Sequence, residues 1–158
     1  MVSKKIKPSI QELAPLIIQS LGDGKKVKLT VTGVSMYPLF KAETDSVIIE
    51  KTDSPKKYDV VLYCRDDGTY VLHRVLSERN GDFVFAGDNE RIKEYGVRKS
   101  SCIAKMTAFE RRGVLCNTDA LWYLIYSRMW VWFFSFRRPL SKMLHLVSAL
   151  FRFLGARI

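Results

Sequence analysis

The sequence predicts a mainly β fold: an antiparallel β domain with a short helix before it and two amphipathic helices after it. Three observations carry that prediction. Between residues 25 and 113, runs rich in β-branched and aromatic residues recur, with the two-residue alternation of strands. Asp67-Gly68 and Asn80-Gly81 interrupt those runs with residues suited to two-residue hairpins, whose central positions need positive φ. From Asn117 onward the apolar residues recur at helical spacing instead.

The first predicted helix covers residues 9–21. Ser9 and Glu12 form an S-x-x-E capping box, and Ile10, Leu13, Ile17 and Leu21 share one face. Pro15 falls inside this helix, and Gly22 and Gly24 end it. The strand at 26–32 alternates Val27, Leu29 and Val31 with Lys28, Thr30 and Thr32. Further strands are expected at 46–51, 59–65, 70–79, 82–86 and 101–110, and the two turns make an antiparallel meander centred on 70–79. Asn117, Thr118 or Asp119 can cap a helix over 121–138, and Pro139 starts a second that runs to about 154. The chain is thus divided into an N-terminal helical segment (1–24), a β domain (25–113) and a helical tail (114–158), with the boundary near Gly113.

A length of 158 residues suffices for one domain with its own core, and an apolar fraction of 47% excludes a disordered chain. The net charge of +10 suits either nucleic acid or an anionic membrane surface. Its distribution selects the second. No acidic residue follows Asp119, and the basic residues of the tail recur opposite apolar helical faces, with no nucleic-acid-binding motif. One such apolar arc holds Trp122, Tyr126, Trp130, Trp132, Phe133 and Phe136, with Ser127, Arg128, Ser135 and Arg138 opposite; the second tail helix sets Leu144, Val147 and Phe151 against Lys142, His145 and Arg152. The stretch 121–136 contains Arg128 and is shorter than the roughly 20 residues a membrane span needs, so an in-plane anchor through 121–158 is expected. The alternative is that these helices pack on the β domain, on a protein partner or in an oligomer. The odd number of cysteines (Cys64, Cys102 and Cys116) and the lack of a signal-peptide pattern point to reduced thiols and a peripheral location on the cytoplasmic face.

Ser35 follows the first strand in Thr32-Gly33-Val34-Ser35-Met36-Tyr37-Pro38. Gly33 allows a tight turn there and Pro38 stiffens its exit, so a backbone N–H beside Ser35 can face a developing oxyanion. A serine hydroxyl needs a base within reach, and His73 is the only histidine in the β region. A two-residue loop at Asn80-Gly81 sets His73 directly across from Asp88, placing a carboxylate beside the candidate base. The plain reading of the same residues is a Ser-Pro turn and a structural His–Asp pair. Cys64 is a rival nucleophile: a two-residue loop at Asp67-Gly68 faces it to Val71 and puts it diagonal to His73, although a strand cysteine is more often a small hydrophobe.

Four blocks are similar, in order, to those of type I signal peptidases: Gly33-Val34-Ser35-Met36-Tyr37-Pro38, Asp59-Val60-Val61, His73-Arg74-Val75 and Gly87-Asp88-Asn89. The likeness covers about residues 25–110. Bacterial members carry lysine where His73 stands, so the chain resembles the endoplasmic-reticulum, archaeal and SipW-like branch, whose site is Ser-His-Asp. The resemblance implies a signal-peptidase/LexA-like antiparallel β catalytic domain, with Ser35 as nucleophile, His73 as base and acid, and Asp88 as the orienting carboxylate. Gly33, Met36 and Pro38 would border the substrate or oxyanion, small side chains would sit near the scissile bond, and neither cofactor nor metal is expected. Gly33 departs from members with a hydroxyl there, and Glu94 is the candidate for the further acidic residue that the family carries after Gly-Asp-Asn. The first thirty residues do not read as the family's membrane anchor, so a maturation protease acting on a peptide or protein precursor is expected. The rival is an inactive adaptor of the same fold that binds an extended peptide at a sheet edge.

Overall fold

The alternation in the sequence becomes strands at nearly the expected limits. The computed structural model describes residues 9–134. Among these residues eight strands form one antiparallel sheet: β1 (Val27–Thr30), β2 (Ser46–Lys51), β3 (Val60–Cys64), β4 (Tyr70–Arg79), β5 (Asp82–Ala86), β6 (Glu94–Val97), β7 (Cys102–Arg111) and β8 (Val114–Asn117). Their order is β1-β2-β7-β3-β4-β5-β6, with β8 also on β7. β6 and β8 were not expected. β8 arises because Arg112 and Gly113, at φ 52° and 78°, turn the chain back on itself, so the sheet runs four residues past the boundary expected at Gly113.

Among the described residues, two helices accompany the sheet: α1 (Ile10–Gly22) and α2 (Leu121–Phe133). In α1 the capping box forms, with Glu12 N–H donating to Ser9 Oγ at 3.3 Å and Ser9 N–H donating to Glu12 Oε2 at 2.8 Å. Ala14, Ile17 and Leu21 are its buried face, and burying Ile17 and Leu21 stabilises the fold by about 1.5–3 kcal/mol each. They join Met36, Phe40, Val47, Leu62, Met106 and Phe109 in the larger apolar cluster. A second cluster of Val61, Tyr63, Val75, Phe83 and Phe85 lies among β3, β4 and β5.

α2 begins where expected but is not capped by Asn117, Thr118 or Asp119. Its N-cap is Ala120, because Asn117 ends β8 and the Thr118 hydroxyl donates to the Thr107 carbonyl at 3.0 Å. Tyr123 and Ser127 are its buried residues, so Ser127 faces inward, whereas Trp132 and Phe133 are exposed. Residues 135–138 of the first expected tail helix and the whole second helix lie outside the described residues.

Two registers differ from those the turns predict. Asn80 and Gly81 both have positive φ, and Arg79 pairs with Asp82 as expected. Between Val75 and Ser77 the ladder shifts, however, so that Arg74 pairs with Ala86. One more step sets His73 against Gly87 rather than Asp88, and alternation turns Asp88 to the face of Arg74. In the β3–β4 hairpin only Gly68 of the expected Asp67-Gly68 pair has positive φ, and its N–H donates to the Arg65 carbonyl at 2.9 Å. The loop is one residue longer, and Cys64 faces Tyr70 rather than Val71.

Candidate active site

Ser35 sits on the turn between β1 and β2, on a segment anchored by the buried side chains of Met36, Leu39 and Phe40. Val34 and Tyr37 on either side of it are exposed, and the Tyr37-Pro38 peptide is cis. The turn is held from below by residues 87–90: Asn89 N–H donates to the Ser35 carbonyl at 2.6 Å and Asn89 Nδ2 to the Val34 carbonyl at 3.3 Å. Gly87 makes this contact close. A Cβ there would lie 2.6 Å from the Ser35 carbonyl oxygen and 3.0 Å from both Ser35 Cβ and Glu90 Cγ.

His73 is buried on β4 and has a carboxylate near each ring nitrogen. Glu94 Oε1 lies 3.0 Å from Nδ1, with the Tyr63 hydroxyl at 3.3 Å, while Glu90 Oε1 lies 3.5 Å from Nε2. Glu94 is itself gripped by Arg65, Nε to Oε2 at 2.8 Å and Nη2 to Oε1 at 2.5 Å. Burial pushes the imidazole pKa below its ordinary value and outweighs the raising effect of Glu90 and Glu94. Burial pushes the Glu94 carboxyl up, but the hydrogen bonds from Arg65 and Tyr63 and the nearby positive charges prevail, so its pKa falls. Glu94 is therefore an anion placed to accept the Nδ1 proton, which leaves Nε2 as the basic nitrogen.

Asp88 does different work. Its carboxylate takes a two-point grip from Arg74, Nε to Oδ1 at 2.8 Å and Nη2 to Oδ2 at 2.7 Å, with both side chains almost fully buried. Arg74 Nη1 also donates to the Tyr58 carbonyl and to the Tyr123 hydroxyl. From α2, Tyr126 donates to Asp88 Oδ2 at 3.1 Å and Trp130 Nε1 to the Asp88 carbonyl at 3.0 Å. The Asp88 carboxylate, expected beside His73, instead ties α2 to the sheet, because the shift at Leu76 turned it to the other face.

Ser35 and His73 line one cleft of about 410 Å³, together with Gly33, Met36, Leu29 and Val31 near β1, Leu72 on β4, and Ile10 and Leu13 of α1. The Ser35 hydroxyl does not hydrogen-bond to His73. β1 is an edge strand and the start of β4 runs beyond the end of β5, so two strand edges border the cleft. Of the residues expected around the substrate, Gly33 and Met36 line the cleft, Met36 mostly as buried floor, and Pro38 does not. Cys64 is not a lining residue; its thiol donates to the Arg65 carbonyl at 3.5 Å. Nothing in the sequence marks Glu90, Arg65 or Tyr63 for this site, and the hairpin register favours Asp88 over Glu94, whose signal is its place after Gly-Asp-Asn. One donor atom each from His73, Glu90 and Glu94 lies within 4.8 Å of the others, so these residues have the grouping of a metal-ligand set. Neither a protein-family model nor a curated protein sequence matches this chain.

Proposed function

We propose that this protein is a serine endopeptidase of the signal-peptidase kind, with Ser35 as nucleophile, His73 as general base and acid, and Glu94 as the orienting carboxylate. The observation that carries the reading is the cleft shared by Ser35 and a buried histidine whose Nδ1 is 3.0 Å from a carboxylate held by Arg65. In the proposed reaction Nε2 takes the Ser35 proton as the hydroxyl oxygen attacks the peptide carbonyl. The imidazolium, stabilised by Glu94, then protonates the leaving amine, and water releases the acyl group by the reverse proton path. An extended precursor peptide would lie along the strand edges of β1 and β4 that border the cleft. A serine-reactive phosphonate tests the nucleophile. It is expected to label the wild-type chain and the Cys64→Ser variant but not Ser35→Ala; labelling that survives in Ser35→Ala would end this reading. Peptides that accumulate with the Ser35→Ala variant, identified by mass spectrometry, would name the precursor.

A second observation bears on location. α2 docks through Tyr123, Ser127, Tyr126 and Trp130, while Leu121, Trp122, Ile125, Met129, Trp132 and Phe133 are exposed on it. Among the described residues no helix is long and apolar enough to cross a membrane. We infer that this exposed apolar surface lies in a membrane interface, on the cytoplasmic face, beside a membrane-attached substrate. Co-sedimentation with anionic vesicles should be lost when Trp122 and Trp132 are both replaced by Ser. Unchanged binding by that variant would exclude α2 as the anchor.

A further inference from the structure

The two carboxylates at His73 differ in kind. Glu94 sits at hydrogen-bond distance from Nδ1 and is fixed from behind by Arg65. Glu90 Oε1, at 3.5 Å from Nε2, is farther than the roughly 2.7–3.2 Å of an N–H···O hydrogen bond. Two ligand atoms on one tetrahedral cation, each about 2.0–2.1 Å from it, are about 3.4 Å apart. The spacing at Nε2 therefore suits a shared cation better than a shared proton.

The surroundings fit the same occupant. A metal-bound histidine usually donates its other ring N–H to a carboxylate, which is the position of Glu94 at Nδ1. The second oxygen of Glu90 accepts the Gly87 N–H at 3.3 Å, which aims the carboxylate. Gly87 has no Cβ to crowd the Glu90 side chain at 3.0 Å. One imidazole nitrogen with one carboxylate oxygen favours a borderline cation such as Zn²⁺ or Co²⁺ over Mg²⁺ or Ca²⁺, which prefer all-oxygen shells.

We propose that His73 Nε2 and Glu90 Oε1 form a binding site for a divalent cation of the zinc class, and that the bound cation switches the cleft off. The Nε2 lone pair and Glu90 Oε1 each form a bond to the cation as a water ligand leaves it; Nδ1 keeps its proton, and nothing is oxidised or reduced. The inhibitory consequence rests on His73 being the base, whereas the binding does not.

The test is a calorimetric and spectroscopic titration of the full chain with Co²⁺, whose absorption separates nitrogen and oxygen ligation from thiolate ligation at the free cysteines. One ion should bind with a nitrogen–oxygen spectrum, at least tenfold more weakly in Glu90→Gln and in His73→Gln. Glu94→Gln should weaken binding about 10–100-fold through the imidazole it orients. Zn²⁺ should block phosphonate labelling of Ser35, a chelator should restore it, and Glu90→Gln should need at least tenfold more Zn²⁺. No binding, a thiolate spectrum, or wild-type affinity in Glu90→Gln would overturn the site. Cobalt binding that depends on Glu90, in a chain that no phosphonate labels, would keep the metal site and remove the peptidase; labelling without cobalt binding would do the reverse.

Discussion

At Nδ1 of His73 the ring proton has an anionic acceptor 3.0 Å away, and an amide in that place can present its own N–H and favour the wrong tautomer. Glu94→Gln should therefore lower kcat by about 10²–10⁴-fold with little loss of fold. Asp88→Asn should fail differently. It leaves Arg74 buried without its counter-charge and should cost about 3–5 kcal/mol in urea unfolding, while folded protein keeps the pH profile of His73. A stable but inactive Asp88→Asn beside an active Glu94→Gln would return Asp88 to the catalytic set. Because burial lowers the His73 pKa, the imidazole stays neutral to a pH below its ordinary 6.5. With chelator present, kcat/KM should rise with pH along a limb centred below 6.5, and Glu94→Gln, which removes one charge that raises this pKa, should move the limb lower still. A limb centred above 6.5 would contradict a buried imidazole base.

Elements are held by both local and distant contacts, and the two respond differently to mutation. The α1 cap is local: Ser9→Ala should cost about 1 kcal/mol, read from denaturant midpoints, without touching the cleft. The contact between the serine turn and residues 87–90 is distant. Gly87→Ala puts a methyl group 2.6 Å from the Ser35 carbonyl oxygen and should cost about 1–3 kcal/mol. It should also lower phosphonate labelling of Ser35 in the fraction that remains folded; normal labelling there would show that the turn's position does not matter. The shift in the β4–β5 hairpin belongs with the distant contacts. Leu76, the residue at the shift, packs with Val84, Ala86 and Phe134, the last of these just beyond α2. Nothing in Val75-Leu76-Ser77 marks it, since all three suit an ordinary strand, and its partner Phe134 is far along the chain.

For the whole molecule, acid should expose the contribution of Glu94. Its folded pKa lies below the ordinary 4.5, so the unfolded chain takes up the proton first. The stability it contributes is full above about pH 4.5 and is lost as pH falls through the folded value. His73 works in the same direction at higher pH: the unfolded imidazole protonates near 6.5 while the buried one resists, so stability declines as pH drops below 6.5. Urea unfolding across pH 3–7 should show both declines, and Glu94→Gln should flatten the lower one; an unchanged profile in that variant would mean Glu94 is not held as an anion. With a net charge of +10, the proposed association of α2 with anionic vesicles should weaken from about 0.05 M to 0.5 M salt.

Strand limits, the turn at Asn80-Gly81 and the capping box were legible in the sequence because each depends on neighbouring residues: side-chain alternation, positive φ, a short side chain beside free N–H groups. Ser35 and His73 were candidates from the first strand's exit and the lone histidine of the β region, and both line one cleft. Which carboxylate lies beside His73 was not legible by register. A count from the Asn80-Gly81 turn reaches Asp88 only if no bulge intervenes, and the bulge sits where Leu76 packs with Phe134. The same holds for the docked face of α2. A helical wheel ranks faces by polarity, but the buried Arg74–Asp88 pair draws Tyr123 and Tyr126 inward and leaves Trp132 and Phe133 outside. Tertiary structure decided both, because an ion pair in a low-dielectric interior and the packing of one extra residue depend on groups distant in sequence that the fold brings together.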